Sequence, residues 1–474
     1  MPRWLLILLV ACRGGNPGPI PTIEIDADLP GASAETMASA VATPLERQLG
    51  QVAGLDALTS TSTLGHTRIR VGFVRDTDLD VARMAVQRAS TAAANLLPRT
   101  LPAPPRYAMV GLHVARFRFD DPAQAKREAR RLSEEPGVGR VELCGAPPDE
   151  SWLGIDPVRL AAAGLTADEV VEAIRAARGG EIAQILIADH GAAIRVGDLT
   201  HPIAPRGSAC RATDAKGDHI AIEVYARPDA DLAALRARIG GALPAMREIL
   251  VEVDPGPAGR GLRLAAAVAE AAGVTAFLVE DRHDSELVHV EVAGDGQAVA
   301  SAAMHLQHAP GVVRAGTATT LVELDGADPA EVTRVAKEVA ARFTARGTLV
   351  AIEGLGERPV LHATVDRDAA SRLGITSDVL DRTLATHTGV VATTTFTQLD
   401  ATAVIVAIDG DGPLYVRSTT GTLVPLDSVA RVEEHAEPPV VLHAGQFFAV
   451  RLYTRDGDVG ALPTSVNARI VPYR

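Results

Sequence analysis

The sequence predicts an α+β protein built by duplication of one long, βαβ-rich unit, and three observations carry that prediction. First, the stretch Ile155-Asp156-Pro157 through Gly164-Leu165-Thr166-Ala167-Asp168 to Ile174 recurs as Val365-Asp366-Arg367 through Gly374-Ile375-Thr376-Ser377-Asp378 to Leu384. Asp156 and Asp366, like Gly164 and Gly374, lie 210 residues apart. Second, the repeat continues: Pro205 to Arg211 matches Pro425 to Arg431, and Ala221 to Arg227 matches Ala449 to Arg455, in the same order. The offset drifts to 220 and then 228, so the second copy carries modest insertions; a repeat of this length is a duplication, not a solenoid of small repeats. Third, period-2 and helical patterns alternate along the chain in successive βαββα blocks, which place helices on one face of antiparallel sheets.

Within each copy of the repeat a strand ends in Asp, a short helical turn follows, then Gly, then a capped helix. Thr166 and Thr376 stand where a hydroxyl can take an orphan amide of the first turn. Asp168 and Asp378 fall in that first turn, where the helix dipole favours negative charge. Capping and turn chemistry therefore explain all four aspartates, and a paired-carboxylate site is not required.

Taken in order, Thr22 to Ala27 alternates as a strand and Leu29-Pro30-Gly31 breaks it. A helix from Ser33 to about Leu49 follows, then strands over Gly54–Thr63 and His66–Val74, then a helix from Asp78 to Leu97. The proline-rich run Pro98 to Pro105 is a boundary. The pattern restarts at Met109: strand to Phe119, helix to Glu135, strand Gly139 to Cys144, strand to Asp156 and helix to Ala177. Arg178 to Ala204 is an irregular excursion. Two strands and a helix, Asp231 to Leu243, close the first half near Val253. Pro255-Gly256-Pro257-Ala258-Gly259 reads as a linker. The alanine-rich run Leu262 to Val279 is interrupted by Arg263, Glu270 and Gly273, so a soluble helix and strand fit it better than a membrane span. The second half continues with strand Val288–Val292, helix Gln297–Leu306, strands Val312–Ala315 and Thr320–Leu324, helix Pro329–Phe343 and strand Thr348–Ile352.

The formal charge of −13, without a long basic patch, argues against a nucleic-acid partner. No CxxC, phosphate loop, HExxH or GxSxG occurs, so nothing points to an enzyme, a nucleotide or another cofactor, or zinc. At the N-terminus, Arg3 precedes the apolar run Trp4 to Val10, and Leu9-Val10-Ala11-Cys12 has the form of a bacterial lipoprotein cleavage box. The run is far below the ~20 residues of a bilayer span. This predicts export, with Cys12 lipidated and residues 13–21 as a tether; a plain secretory signal and the remnant of a lost membrane helix are the other readings. Cys144 and Cys210 remain in the same half. An oxidising compartment makes them a candidate disulfide, and two unrelated core thiols are the other reading.

Leu29-Pro30-Gly31-Ala32-Ser33-Ala34-Glu35-Thr36, Thr43-Pro44-Leu45-Glu46, Gly54-Leu55, Ser60-Thr61-Ser62, Phe73, Thr77 to Ala82 and Leu96-Leu97-Pro98 together resemble the start of the periplasmic part of resistance-nodulation-division (RND) efflux pumps. Gly137 to Leu143 and Asp156 to Ala176 resemble its second subdomain. Val365 to Ala385, Leu414 to Arg417 and Leu423 to Val429 resemble C-terminal parts. The resemblance covers about Ile23 to Tyr453. It implies ferredoxin-like porter subdomains, two per half, with a docking insertion in each half. Mapped onto this chain, the plan assigns 1–12 to a lipoprotein signal, 22–106 to a first porter subdomain, and 107–178 plus 205–254 to a second. It assigns 179–204 to a reduced docking excursion and 255–286 to a linker in place of membrane helices. The third subdomain is reduced to 287–318, unless Leu262 to Val279 fills the gap in another order; the fourth is 319–388 plus 427–474, and 389–426 is the second docking excursion.

The resemblance also implies membrane helices between the halves, and six of them need ~120 apolar residues, which 255–286 cannot supply. The expectation is a periplasmic, membrane-anchored porter component that binds substrate or docks to a partner and cannot pump alone. The other reading is a structural or regulatory lipoprotein that retains the fold. Partners implied are a membrane-embedded transporter subunit, an adaptor or an outer-membrane channel, and a homo-trimer. The family's drug pockets are aromatic; with eight Phe, five Tyr and two Trp, and Phe447-Phe448 the only adjacent pair, this chain supplies stacking poorly. Met304, His305 and His308, with His289 nearby in sequence, offer soft-metal groups but are better explained as solvated side chains. His283-Asp284-Ser285-Glu286 holds triad-type residues that adjacency prevents from reaching triad geometry. No metal site is expected.

Overall fold

The computed structural model describes residues 20–75, 77–98, 101–146, 150–177, 181–189, 193–204, 210–240, 246–254, 260–282, 285–396 and 401–473. Cys12, and with it the lipidation and signal readings, lies outside these residues, as do His283 and Asp284.

Alternation builds the sheets. In Thr22–Asp28, Ile23, Ile25 and Ala27 enter one core while Glu24 and Asp26 take the opposite face. Helices lie on the apolar face. Leu79–Ala93 starts at Asp78, whose carboxylate accepts from the amides of Asp80 and Val81, and it buries Leu79, Ala82 and Val86. Pro329–Ala345 starts behind Asp328 and buries Val332, Val335, Ala336, Val339 and Phe343.

The sheets are shared between the halves. A nine-stranded sheet joins the strands of residues 22–110 to those of 320–353 and 441–472, with Leu55–Thr63 running antiparallel to Val441–Ala444 at the seam. An eight-stranded sheet joins the strands of residues 113–144 and 210–226 to those of 247–316, with Cys210–Asp214 antiparallel to Ala276–Arg282 at the seam. Each half thus contributes one unit to each sheet, and the two seams are equivalent.

The third unit is complete, which corrects the linker and the reduced subdomain expected from the sequence. Arg260–Ala269 is a helix that buries Leu264, Ala265 and Val268, and Ala276–Arg282 is an inner strand of the sheet. Arg247–Val253, expected to close the second unit, pairs instead with Leu287–Ala293 and Val312–Gly316. The resulting strand–helix–strand–strand–helix–strand order repeats that of residues 22–110. The charges that interrupt 262–279 fall on the helix's outer face, so its amphipathic pattern is that of a sheet-covering helix.

The excursions also exchange strands. Glu150–Ile155 is flanked by Thr200–Ile203 and, in parallel, by Ala401–Ile408 from the other half. Ile155, Leu160, Val170 and Ile174 share one core with Val390, Val406 and Ile408. The Asp156 repeat therefore packs with the excursions and not with the second porter unit to which its sequence position assigned it. Among the described residues no helix is long and apolar enough to cross a membrane.

Candidate functional site

The bare faces of the two large sheets look at each other, with helices outside, and enclose a cleft of about 1870 Å³. Because strand side chains alternate, many residues between core positions point into this space. Thr59, Thr61, His66, Arg68, Glu323 and Arg451 come from one wall, and Arg116, Glu142, Glu223, Glu280, His289 and Glu291 from the other. The alternation in the sequence gives each strand one apolar face covered by helices; the second face meets another sheet.

At one end the walls are tied by charge. Arg68 Nε donates to Asp26 at 2.9 Å and Arg70 Nε to Glu24 at 2.6 Å. From the opposite wall Arg140 reaches Glu24 and lies 3.3 Å from Asp26, while Arg68 reaches back to Glu142 at 3.0 Å. His66 sits between Asp28, at 2.7 Å, and Asp26, at 3.3 Å. Burial alone would lower the His66 pKa, but its hydrogen bonds to both carboxylates outweigh it and hold it at about 9. Asp26, which burial would raise, is brought down to about 2 by His66 and Arg68.

On the far wall Arg116 is pinned between Glu223 and Glu291, donating to the latter at 2.6 and 3.1 Å. Glu248 accepts from His289 at 2.5 Å and from the Tyr473 hydroxyl, on the opposite sheet, at 2.9 Å. Arg451 donates to Glu323 at 3.0 Å, and the Tyr453 hydroxyl donates to Glu353 at 3.0 Å. Two cleft carboxylate oxygens, Glu223 Oε2 and Glu280 Oε1, are buried without a hydrogen bond; Glu223 is ion-paired with His113 and Arg116, whereas Glu280 has no such cation among the described residues. Burial, with the neighbouring Glu223 charge adding to it, pushes the Glu280 pKa up to about 7.

The other end is closed by a carboxylate in a backbone nest. Glu286 accepts from the amides of Gly354, at 2.6 Å, and Gly356, at 2.5 Å, and so latches the third unit to the fourth. Leu250, Leu287, Val350, Ala351 and Tyr453 form a small apolar core beside it.

The residues singled out in the sequence take other places. The structure joins Cys144 to Cys210, with Cα atoms 4.8 Å apart, linking two strands at the cleft wall. Asp156 and Asp366 cap the helices Pro157–Ala162 and Arg367–Arg372. Thr166 caps Ala167–Ala176 in a capping box with Glu169, and Thr376 caps Ser377–Thr388. Arg382 gathers the remaining pair, Asp168 at 2.9 Å and Asp378 at 2.7 Å, so the duplicated helices meet. Met304 is 57 % exposed, and the His308 ring donates to its carbonyl at 2.7 Å, while His289 lines the cleft. Among the described residues no group of three or more His, Cys, Asp or Glu is placed to hold a metal. Ser285 Oγ accepts the Leu287 amide, and Phe447 is 45 % exposed. The cleft charges went unremarked because their sequence signal, a charged residue at every second strand position, is also that of a solvated sheet face.

Residues 19–196 match the AcrB/AcrD/AcrF family. The chain is similar to the multidrug resistance protein MdtC of Pectobacterium carotovorum subsp. carotovorum (strain PC1), 40% identical over 166 residues, which cover 32% of this chain and 16% of that protein. It is also similar to the MdtC proteins of Salmonella newport (strain SL254) and Salmonella paratyphi B (strain ATCC BAA-1250 / SPB7), each 39% identical over 169 residues, 33% of this chain and 16% of theirs. The chain thus matches about a sixth of the length of these relatives.

Proposed function

We propose that the chain, whose residues 19–196 match the AcrB/AcrD/AcrF family, is a porter-like component of an RND-type efflux system, in which the cleft between the two shared sheets receives the transported solute. The observation that carries this reading is the cleft itself: both halves build both walls, and its volume exceeds the ~300–1,000 Å³ of ordinary small-molecule pockets. Its lining mixes charged and hydroxylic side chains with apolar ones such as Leu64, Leu143, Trp152, Leu321 and Ile405, so it suits solutes that carry both polar and apolar groups. The described residues contain no membrane-crossing helix, so this part acts with a membrane-embedded subunit, an adaptor or a channel, and the exchanged excursion strands offer the docking surface. Export to the periplasm and lipidation at Cys12 complete the proposal.

Photo-labelling of the full chain with a neutral, hydrophilic benzyl diazirine tests the cleft. Label concentrated on peptides spanning 59–70, 140–144 and 220–226 supports it, and label confined to the outer helices overturns it. Crosslinked co-purification from native membranes tests the partner half. Recovery of no transporter subunit, adaptor or channel favours the second reading, a binding module that has kept the porter fold; the ion pairs that tie the two walls together are the feature that favours that reading.

A further inference from the structure

We propose that Glu280 is the recognition point for an organic ammonium ion, a primary or secondary amine that binds in the cleft; this rests on the cleft being a solute site. The other carboxylates of the cleft wall are already matched. Glu223 and Glu291 share Arg116, Glu248 holds His289 and Tyr473, and Glu142 is bound by Arg140 at 2.7 Å. Glu280 lies between Ala212 and His289 on the neighbouring strands and lines the cleft, with its Oε1 buried and without a hydrogen-bond donor. A buried oxygen with no donor costs free energy that a ligand N–H recovers.

The surroundings select the ligand's charge. Around Glu280 stand Glu223 and Tyr225 from Gly217–Ala226, Arg116 from His113–Phe119, His289 from Leu287–Ala293, Glu142 from Val138–Cys144, and Arg282 of its own strand. Arg116 and His289 are committed to other carboxylates, and Arg282 reaches Glu142 at 3.4 Å. An anion would meet Glu223, Glu280 and Glu142 together. A bare metal ion would find too few ligands, since no group of three is formed among the described residues. An ammonium needs only the one carboxylate, and Tyr225, near Glu280, lines the same cleft.

Glu280 must ionise to hold the cation. With its carboxyl at about 7, the ionised fraction, and with it the affinity, falls about tenfold from pH 8 to pH 6. The test is calorimetric titration of the full chain with benzylammonium and with benzyl alcohol, its uncharged counterpart, at both pH values. The expected result is at least tenfold tighter binding of benzylammonium at pH 8, weakened about tenfold at pH 6, with both preferences lost in Glu280→Gln. Glu280→Asp, which keeps the charge on a shorter arm, retains the pH dependence at reduced affinity. Benzylammonium binding that Glu280→Gln leaves unchanged overturns the proposal. If the neutral diazirine labels the cleft while this result is obtained, only the ammonium site fails; if the cleft is not labelled at all, the solute-cleft reading fails with it.

Discussion

His66 shows how one residue couples the fold to pH. Its pKa is about 9 in the folded chain against an ordinary 6.5, because it donates to both Asp26 and Asp28. A raised folded value means that His66 stabilises the fold fully below pH 6.5, and that this contribution is lost as pH rises through 9. Urea unfolding of the wild-type chain between pH 6.5 and 9.5 should therefore show a loss of stability that His66→Gln does not show. A midpoint that falls equally in both proteins would place the pH sensitivity elsewhere. Asp26 works from the other side. Held at about 2, it contributes above its ordinary 3.8 and loses that contribution as pH falls toward 2. The cluster is thus most stabilising between about pH 4 and 6.5, where both groups are charged.

Among the elements, the junction of the third and fourth units depends on close backbone approach. Gly354 has φ +91°, in the region glycine tolerates, and both it and Gly356 turn their amides to Glu286. A Cβ at Gly356 would collide with that carboxylate. Gly356→Ala should therefore cost about 2 kcal/mol, within the range for overpacking a tight site, read as a lower urea midpoint at unchanged slope. Glu286 is buried and pushed up to about 7, so displacing it from its two donors leaves a polar group unpaired as well. The repeated helices are held by local chemistry instead. Gly164 and Gly374, at φ +69° and +70°, end the first short helix of each copy, and Thr166 and Thr376 begin the next. Those positions were legible because glycine in the left-handed region and a hydroxyl at the N-cap are signals contained within a few residues.

At the scale of the molecule, two crosswise sheets, one disulfide and a charged cleft form a single arrangement. Cys144–Cys210 closes a separation of 66 residues around the first excursion. By the chain-entropy estimate a loop of that length stabilises by about 4 kcal/mol. Dithiothreitol should lower the unfolding free energy by up to that amount, and should leave Cys144→Ser/Cys210→Ser unaffected. A reductant effect of equal size in that double variant would assign the stability to something other than this bond. The bond stands between Val138–Cys144 and Cys210–Asp214, next to the seam where the halves join. Its loss should therefore also loosen the wall that carries Glu280.

By itself the sequence determined the α+β class, the duplication, the helix caps and the apolar face of each strand. All of these arise from periods of 2 and 3.6 and from side chains acting on amides a few residues away. Only the tertiary structure decided which strand pairs with which. Arg247–Val253 could close the second unit or open the third, because its apolar face fits either core, and pairing with Leu287–Ala293 settled it. It also made 260–282 a helix and inner strand where a linker was expected, brought Cys144 to Cys210, and let Arg382 bind Asp168 across the duplication. The cleft belongs to the same class of fact. A charge at every second position says that a strand has a polar face. Whether that face meets water or another sheet depends on partners hundreds of residues away, and here it meets a sheet.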